Sequence, residues 1–566
     1  MKSIKTTYER FAQSRSGRNK MANVTFARAE IEKEIKLTPE VLDKIMMFGV
    51  PVERLTENEL ELQVLPNRPD LLSLSGFMRA IRAYLGKESG LPKYTVKQTK
   101  DRVIVEKTVP KEWPYAVACV VKGLSLTDER IREIMNIQEK LGSTLLRKRK
   151  KGGIGVYPLE KIHFPVRFIG MHPDKIKFRP LEHPKVISGR QILTDHPTGR
   201  EYAHICAEWS AFPLFIDAKK EIMSMPPIIN SHDLGKVDEA TKEVFVEVTG
   251  TNIKTLEQVL AIMATMLAEM GGTIYPLTCI QANGKKLTTP DLTPQKKKLS
   301  LEAVNRYLGL DLKERDLEKL LPRMGYGYKN HLVSIPAWRT DVMHEVDIIE
   351  DIAIAYGYDR LVPQLPALAA TIAEESVESS IRTLTSETLV GLGLLEIATY
   401  HLITNEEAKI IPEHERVELE NAKTEYKALR PDLITPALRI LAENKDNEYP
   451  QNFFEIGRVF KKDKRIPETG IAEPLKLSIT LMPGNFTQMK QILDSLCSAL
   501  SLQYALIESV QKRCIDGRTA IILINNQEIG YFGELHPETL RSYALKLPGC
   551  VLEISLEPLL KKLEDR

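Results

Sequence analysis

The chain is short of several things, and each shortage closes off a class of protein. Six cysteines (Cys119, Cys206, Cys279, Cys497, Cys514, Cys550) are scattered through 566 residues with no Cys-x-x-Cys pair. That argues against zinc and against a disulfide framework, and suits a reducing cytosol. No apolar run approaches the roughly 18 residues that a membrane span needs. Net charge is only +3, so no global field announces a nucleic-acid partner, and any such surface must be local. The one Gly-rich turn beside a basic run, Gly152-Gly153-Ile154-Gly155, lacks the third glycine and the helix of a dinucleotide fingerprint. The first twenty residues are polar and basic without an apolar stretch, so they are no signal peptide; residues 1–20 are expected to be a disordered extension. The remaining length allows three or four domains with proper cores.

What is present is organised around Ser334 to Arg360. Leu332, Val333 and Ile335 read as a strand stopped by Pro336, which cannot donate to a ladder. A helix is expected from about Asp341, an acceptable N-cap, to just before Gly357. On it Asp347, Glu350 and Asp351 stand at i, i+3 and i+4 and share one face, while Ile348, Ile349, Ile352 and Tyr356 take the other. Acids in a first turn answer the helix's positive end, which accounts for Asp341 and Glu345. It accounts poorly for Glu350 and Asp351, nearer the negative end. Spacing alone leaves two readings open, a solvated acidic face and an oxygen-ligand site for magnesium or calcium.

A second, imperfect copy of this unit lies near the start. Thr38 and Pro39 read as N-cap and N1 of a helix closed by Gly49. Leu60, Leu62 and Val64 alternate as a strand ending at Pro66, and Asn67-Arg68-Pro69-Asp70 leads into a helix ending at Gly86. In the later copy Leu317, Leu320, Leu321 and Met324 make the first helix, closed by Gly325. A shift of 271 positions places Arg68, Asp70 and Gly86 on Arg339, Asp341 and Gly357, but Gly76, Arg79 and Ala80 on Asp347, Glu350 and Asp351. The scaffold is repeated and the acids are not, which favours the ion.

Between the copies the chain reads as short strands and loops to about Ala282, closed by a helix that Thr255 and Gln258 would cap and that Leu256, Val259, Met263 and Met266 would bury. Arg147-Lys148-Arg149-Lys150-Lys151 puts five cations beside a flexible turn, either a solvated run or a phosphate-backbone contact. Glu247 interrupts the apolar strand Phe245-Val246-Glu247-Val248-Thr249, which an exposed strand face would explain.

Asn67-Arg68-Pro69-Asp70-Leu71-Leu72-Ser73, together with Arg339-Thr340-Asp341 through Tyr356-Gly357-Tyr358-Asp359, resembles the β subunit of phenylalanyl-tRNA synthetases, in the compact archaeal and eukaryotic form. The resemblance implies an α+β multidomain fold: a helix-strand-helix domain over 21–92, a mixed α/β tRNA-editing domain over 93–283, a small DNA-binding-like domain over 284–362, and a class II synthetase-like antiparallel sheet domain over 363–566. It implies a cytoplasmic α₂β₂ heterotetramer with an α subunit that activates phenylalanine with ATP, and tRNA(Phe) as a further partner. It also implies a magnesium ion held by Asp341, Asp347, Glu350 and Asp351. For editing it implies hydrolysis of tRNA mischarged with tyrosine, with Glu247 as acceptor for the phenol and Ser224, Asn230 and Thr249 shaping the pocket. A hydrophobic pocket rejects an added hydroxyl only by about a hundredfold, so a second site that binds the hydroxyl is needed. Family members often carry a histidine and an aspartate near the segments here reading Lys140-Leu141-Gly142 and Tyr157-Pro158-Leu159. The C-terminal markers are Leu429-Arg430-Pro431-Asp432, Phe453 to Arg458 and Ile529 to Pro537. The arginine-bearing Gly-x-Gly-x-x-x-Arg segment of class II catalysis is missing: the runs from Gly153, Gly325 and Gly391 lead to Leu159, His331 and Ile397. That domain is therefore expected to bind a partner rather than activate an amino acid, with Arg430 and Glu455 in core and turn duties. A scaffold subunit without hydrolytic activity and a free-standing nucleic-acid-binding protein are the alternatives.

Overall fold

The computed structural model describes residues 23–365 and 373–558, so the expectation for residues 1–20 lies outside it. The chain forms two compact units, Met1–Gln364 and Leu365–Arg566.

Within the first unit the repeat is one of topology. Strands Asn23–Ala27, Glu59–Gln63 and Val52–Leu55 form an antiparallel sheet in that order, and helix Leu74–Tyr84 follows. Strands Gln295–Lys298, Leu332–Ile335 and Gly327–Lys329 repeat the order, and helix Glu345–Tyr356 follows. Each copy inserts two helices after its first strand, Arg28–Glu32 and Pro39–Met47 in one, Leu301–Leu308 and Glu314–Arg323 in the other. Thr38 accepts from Val41 N–H at 3.4 Å and Pro39 occupies the first helical position, where its missing N–H costs nothing. Gly49 and Gly325 end the corresponding helices at φ +95° and +79°, a conformation that favours glycine.

The copies pack into one core. Ile45, Phe77 and Ile81 of the first join Leu317, Leu321, Ile348 and Ile352 of the second in a single buried cluster that also takes in Val259, Met263 and Met266. Arg323 ties matched points together: its Nε donates to Tyr84 O at 3.1 Å and its Nη1 to Ala355 O at 2.6 Å. Those carbonyls are 271 residues apart, the same shift that aligns the motifs. One guanidinium thus serves the negative ends of both repeat helices.

Two helix starts differ from expectation. The acidic helix begins at Glu345, with His344 at the N-cap and Asp347 reaching back to it; Asp341 lies outside because Arg339 holds its carboxylate. Helix Ile253–Glu269 is capped by Asn252, whose side chain accepts from Thr255 N–H at 3.0 Å. Asn caps well, and so Thr255 falls one turn too late to do it.

The middle region is more regular than its sequence suggests. Its strands make a ten-stranded sheet whose edges are Ile229–Asn230 and Gly152–Pro158. The sheet curls until these edges meet: Tyr157 Oη lies 3.3 Å from Asn230 Oδ1, and a Cβ on Gly153 would touch Pro227 Cα at 3.2 Å. Central strands such as Tyr115–Lys122 are buried on both faces and so show no alternation in sequence.

The second unit is a seven-stranded sheet, antiparallel except where Leu395–Glu396 runs parallel to Gln451–Arg458. Leu395–Glu396 is only a two-residue edge strand. Helices Val377–Gly391 and Phe486–Ala499 cover one face through Leu389 and Leu493. Helix Ile434–Glu443 belongs to a separate cluster with Phe453 and Val551.

Candidate functional site

Copy two presents its acids as follows. Arg339, with 3% of its side chain exposed, forks onto Asp341 at 2.8 and 2.7 Å and reaches Asp351 at 2.7 Å. Tyr326 Oη also donates to Asp351. Asp347 accepts the Met343 and His344 N–H groups at 2.7 and 2.6 Å. Only Glu350 is exposed, and burial of its stem together with Asp351, Asp347 and Asp341 raises its carboxyl above the usual range. The four acids therefore share one field, yet among the described residues no group of three such side chains is arranged to hold a metal. The donor chemistry fits magnesium, being all oxygen and outnumbering Arg339 four to one, but Arg339 already takes two of the four. Asp347 and Glu350 are the pair left for a hydrated ion, which needs only one or two direct carboxylates.

Copy one puts other groups in the same places. Arg68 forks onto Asp70 at 2.9 Å twice, as Arg339 does onto Asp341. At Glu350's position stands Arg79, whose guanidinium lies 4.2 Å from the Trp338 ring of the other copy and donates to Tyr94 Oη at 2.9 Å. Gly76, Arg79 and Ala80 stand there in place of Asp347, Glu350 and Asp351.

The second candidate lies where the large sheet nearly closes. A cavity of about 690 Å³ opens between its edges, lined by Arg149, Gly153, Ile154, Pro227, Asn230 and Glu247 among others. That is within the span of roughly 300–1,000 Å³ typical of small-molecule sites. Register explains the floor: Glu247 pairs with Gly155 and Thr249 with Gly153, so two carboxyl- and hydroxyl-bearing positions face two glycines. A Cβ on Gly155 would collide with Tyr157 Oη and Glu247 Oε1.

Glu247 is 2% exposed, so the exposed strand face expected from sequence is wrong; the curled sheet covers it. Burial pushes its carboxyl up to about 8, because a charge there has little solvent and no cation to answer it. Tyr157 donates to its Oε1 at 3.0 Å, while Oε2 is buried without a partner. At neutral pH the raised carboxyl favours its protonated form. Thr249 Oγ1 is also buried and unpartnered, and Ser224, buried too, interacts with the Tyr157 hydroxyl. Of the four residues expected here, Asn230 and Glu247 line the cavity and Ser224 and Thr249 are buried in the strands that carry it. Sequence reasoning missed Tyr157. The alternation Gly153, Gly155, Tyr157 opposite Thr249, Glu247, Phe245 was the available signal.

In the second unit Arg430 Nη1 pairs with Glu455 Oε1 at 2.7 Å, and both also bond Thr399. Each is at most 4% exposed, so the pair is spent inside the fold.

Comparison with known proteins agrees with this anatomy. Residues 297–358 match the model of the tRNA synthetase B5 domain, and 361–556 that of the phenylalanyl tRNA synthetase beta chain CLM domain. The chain is 36% identical to the phenylalanine–tRNA ligase beta subunit of Thermococcus sibiricus over 88% of this chain and 90% of that one. It is 34% identical to that of Archaeoglobus fulgidus over 95% and 98%. A crystal structure of an N-terminal fragment of the Pyrococcus horikoshii beta subunit superposes with a TM-score of 0.57 at 32% identity, covering 59% of this chain and 99% of the fragment. The chain belongs to the phenylalanyl-tRNA synthetase β subunits, in their archaeal form.

Proposed function

We propose that this subunit assembles with an α subunit into a cytoplasmic α₂β₂ phenylalanine–tRNA ligase and clears tRNA(Phe) mischarged with tyrosine in the chamber around Glu247. The observation that carries the reading is a buried carboxyl with one oxygen free, at the wall of a cavity of about 690 Å³, beside the buried hydroxyls of Ser224 and Thr249. A phenol entering the chamber bonds the free Oε2 of Glu247, in a pocket shaped by Ser224, Asn230 and Thr249. Phenylalanine leaves that oxygen buried and unpaired, which costs about 1–3 kcal/mol. That inverts the preference of a pocket built for phenylalanine.

Hydrolysis then rests on holding a water against the ester. His232 lines the cavity, with its Nδ1 accepting Glu182 N–H at 3.3 Å. The terminal ribose hydroxyl of the tRNA completes the positioning. The antiparallel sheet of residues 363–566, lacking the phosphate-binding arginine segment, serves as the class II-like surface for the α subunit. A magnesium ion at the acidic face of helix Glu345–Tyr356 would be held by Asp347 and Glu350, with Asp341 and Asp351 reaching it through water. There it would neutralise the charge that Arg339 leaves unanswered.

The test is deacylation by the assembled complex. Tyrosyl-tRNA(Phe) should be hydrolysed and phenylalanyl-tRNA(Phe) spared, while Glu247→Ala loses the first activity and keeps phenylalanine charging. An inert parent complex would establish the subunit as a scaffold instead.

A further inference from the structure

Helix Asp128–Ser143 ends at the edge of the chamber, and the chain then does something L-amino acids avoid. Arg147, Lys148 and Arg149 take φ of +49°, +52° and +61° in succession. Side chains crowd the backbone in that region, and single Gly or Asn residues usually fill it. The turn is held by Arg149 N–H to Gly142 O at 2.9 Å and Lys151 N–H to Leu146 O at 3.0 Å, neither of which needs a basic side chain.

Four of the five cations, those at 147–150, divide by direction. Arg149 turns inward, its guanidinium 4.2 Å from the Tyr202 ring and its Nη1 donating to Pro227 O and Ile228 O at 3.1 and 3.0 Å. Those carbonyls belong to the chamber wall. Arg147, Lys148 and Lys150 are exposed and make no ion pair within the described chain. Answering the negative end of the helix does not explain them, because Lys140 already stands in its last turn and the effect fades beyond that turn. Gly142 and Gly153, which flank the run, both line the cavity.

We propose that the 147–150 turn clamps the single-stranded 3′ end of the charged tRNA, with Arg147, Lys148 and Lys150 on its terminal phosphates and Arg149 pinning the turn to the chamber wall. The inference rests on the chamber being the hydrolytic site. An aminoacyl ester placed at Glu247 leaves the phosphates of the last nucleotides at the rim, and nucleotides without a duplex offer their backbone to cations.

The test uses the assembled complex carrying R147Q/K148Q/K150Q, and a second variant, R147G/K148G/K150Q, that removes the charges while relieving the backbone. Both should raise KM for tyrosyl-tRNA at least tenfold, leave hydrolysis of tyrosyl-adenosine (no phosphates) and phenylalanine charging unchanged, and melt no lower than the parent. Three lost contacts should reduce the slope of log affinity against log salt by about 2. Fluorescence anisotropy with an uncharged minihelix ending in a single-stranded 3′ tail reads binding without chemistry. Should the parent fail to hydrolyse tyrosyl-tRNA, the chamber reading falls, and the clamp is still decided by that binding measurement. Equal affinity and equal salt slope in parent and variants would overturn it.

Discussion

The two copies of the repeat have the same strands, the same order and the same Arg-x-Asp fork, yet they hold charge in opposite ways. Position 79 in the first copy is an arginine stacked on Trp338 and bonded to Tyr94. Its counterpart, Glu350, is an acid surrounded by acids. Arg68 answers Asp70, whereas Arg339 must answer Asp341 and Asp351 together. The fold needs the fork and the bridging Arg323; it does not need Asp347, Glu350 and Asp351, because the first copy folds with Gly76, Arg79 and Ala80 in their places. A charge set that the scaffold tolerates without requiring is where function is best sought.

The asymmetry can be broken, and the largest effect should come from Arg339→Ala. It strands two buried carboxylates, so unfolding should come about 3–5 kcal/mol sooner, against a smaller loss for Arg68→Ala, which strands one. Equal losses measured by urea titration would mean that Asp351 does not depend on Arg339.

Glu247, outside the repeat, sets the scale for a buried acid with no cation at all. Its folded pKa of about 8 lies above the ordinary 4.5. Below about pH 4.5 both states are protonated and the residue is silent. From there to about 8 the unfolded chain releases a proton that the folded chain keeps, so stability falls as pH rises, by on the order of a few kcal/mol, and levels off above. Glu247→Gln should remove that part of the slope in paired pH–urea series; an unchanged slope would place the titration elsewhere.

Arg323→Ala should cost about 2–3 kcal/mol, since it removes charged bonds to both repeat helices. Smallest and most diagnostic is the matched pair at the helix face. Arg79→Gln should destabilise by about 1 kcal/mol through the lost stacking, and Glu350→Gln should stabilise by a few tenths through relieved repulsion. Two changes of the same sign would remove the contrast between the copies. Added magnesium should stabilise the parent and not Glu350→Gln.

Sequence reached the repeat because a fork, a glycine stop and an alternating strand are local signals. It reached the acidic face for the same reason, but placed the helix start at Asp341 because Arg339's hold on that carboxylate is a contact made in three dimensions. The ten-stranded sheet was illegible: strands buried on both faces lose the alternation that betrays a strand, and closure of the edges depends on contacts such as Tyr157 with Asn230, 73 residues apart. Glu247 shows the cost. In sequence it is a lone acid in an apolar run, as compatible with an exposed face as with a buried one. Only the curling of the sheet buries it, and its raised carboxyl follows from that burial. The family resemblance named the residue; the geometry showed it buried at the wall of a cavity.

The chamber is the central claim, and nucleotide turnover in the presence of the wrong amino acid tests it most directly. With tyrosine, ATP and tRNA(Phe), the parent complex should keep forming AMP while tyrosyl-tRNA stays near zero, and the Glu247→Ala complex should accumulate tyrosyl-tRNA with AMP formation falling to one per molecule charged. Indistinguishable AMP and tyrosyl-tRNA curves for the two complexes would contradict it.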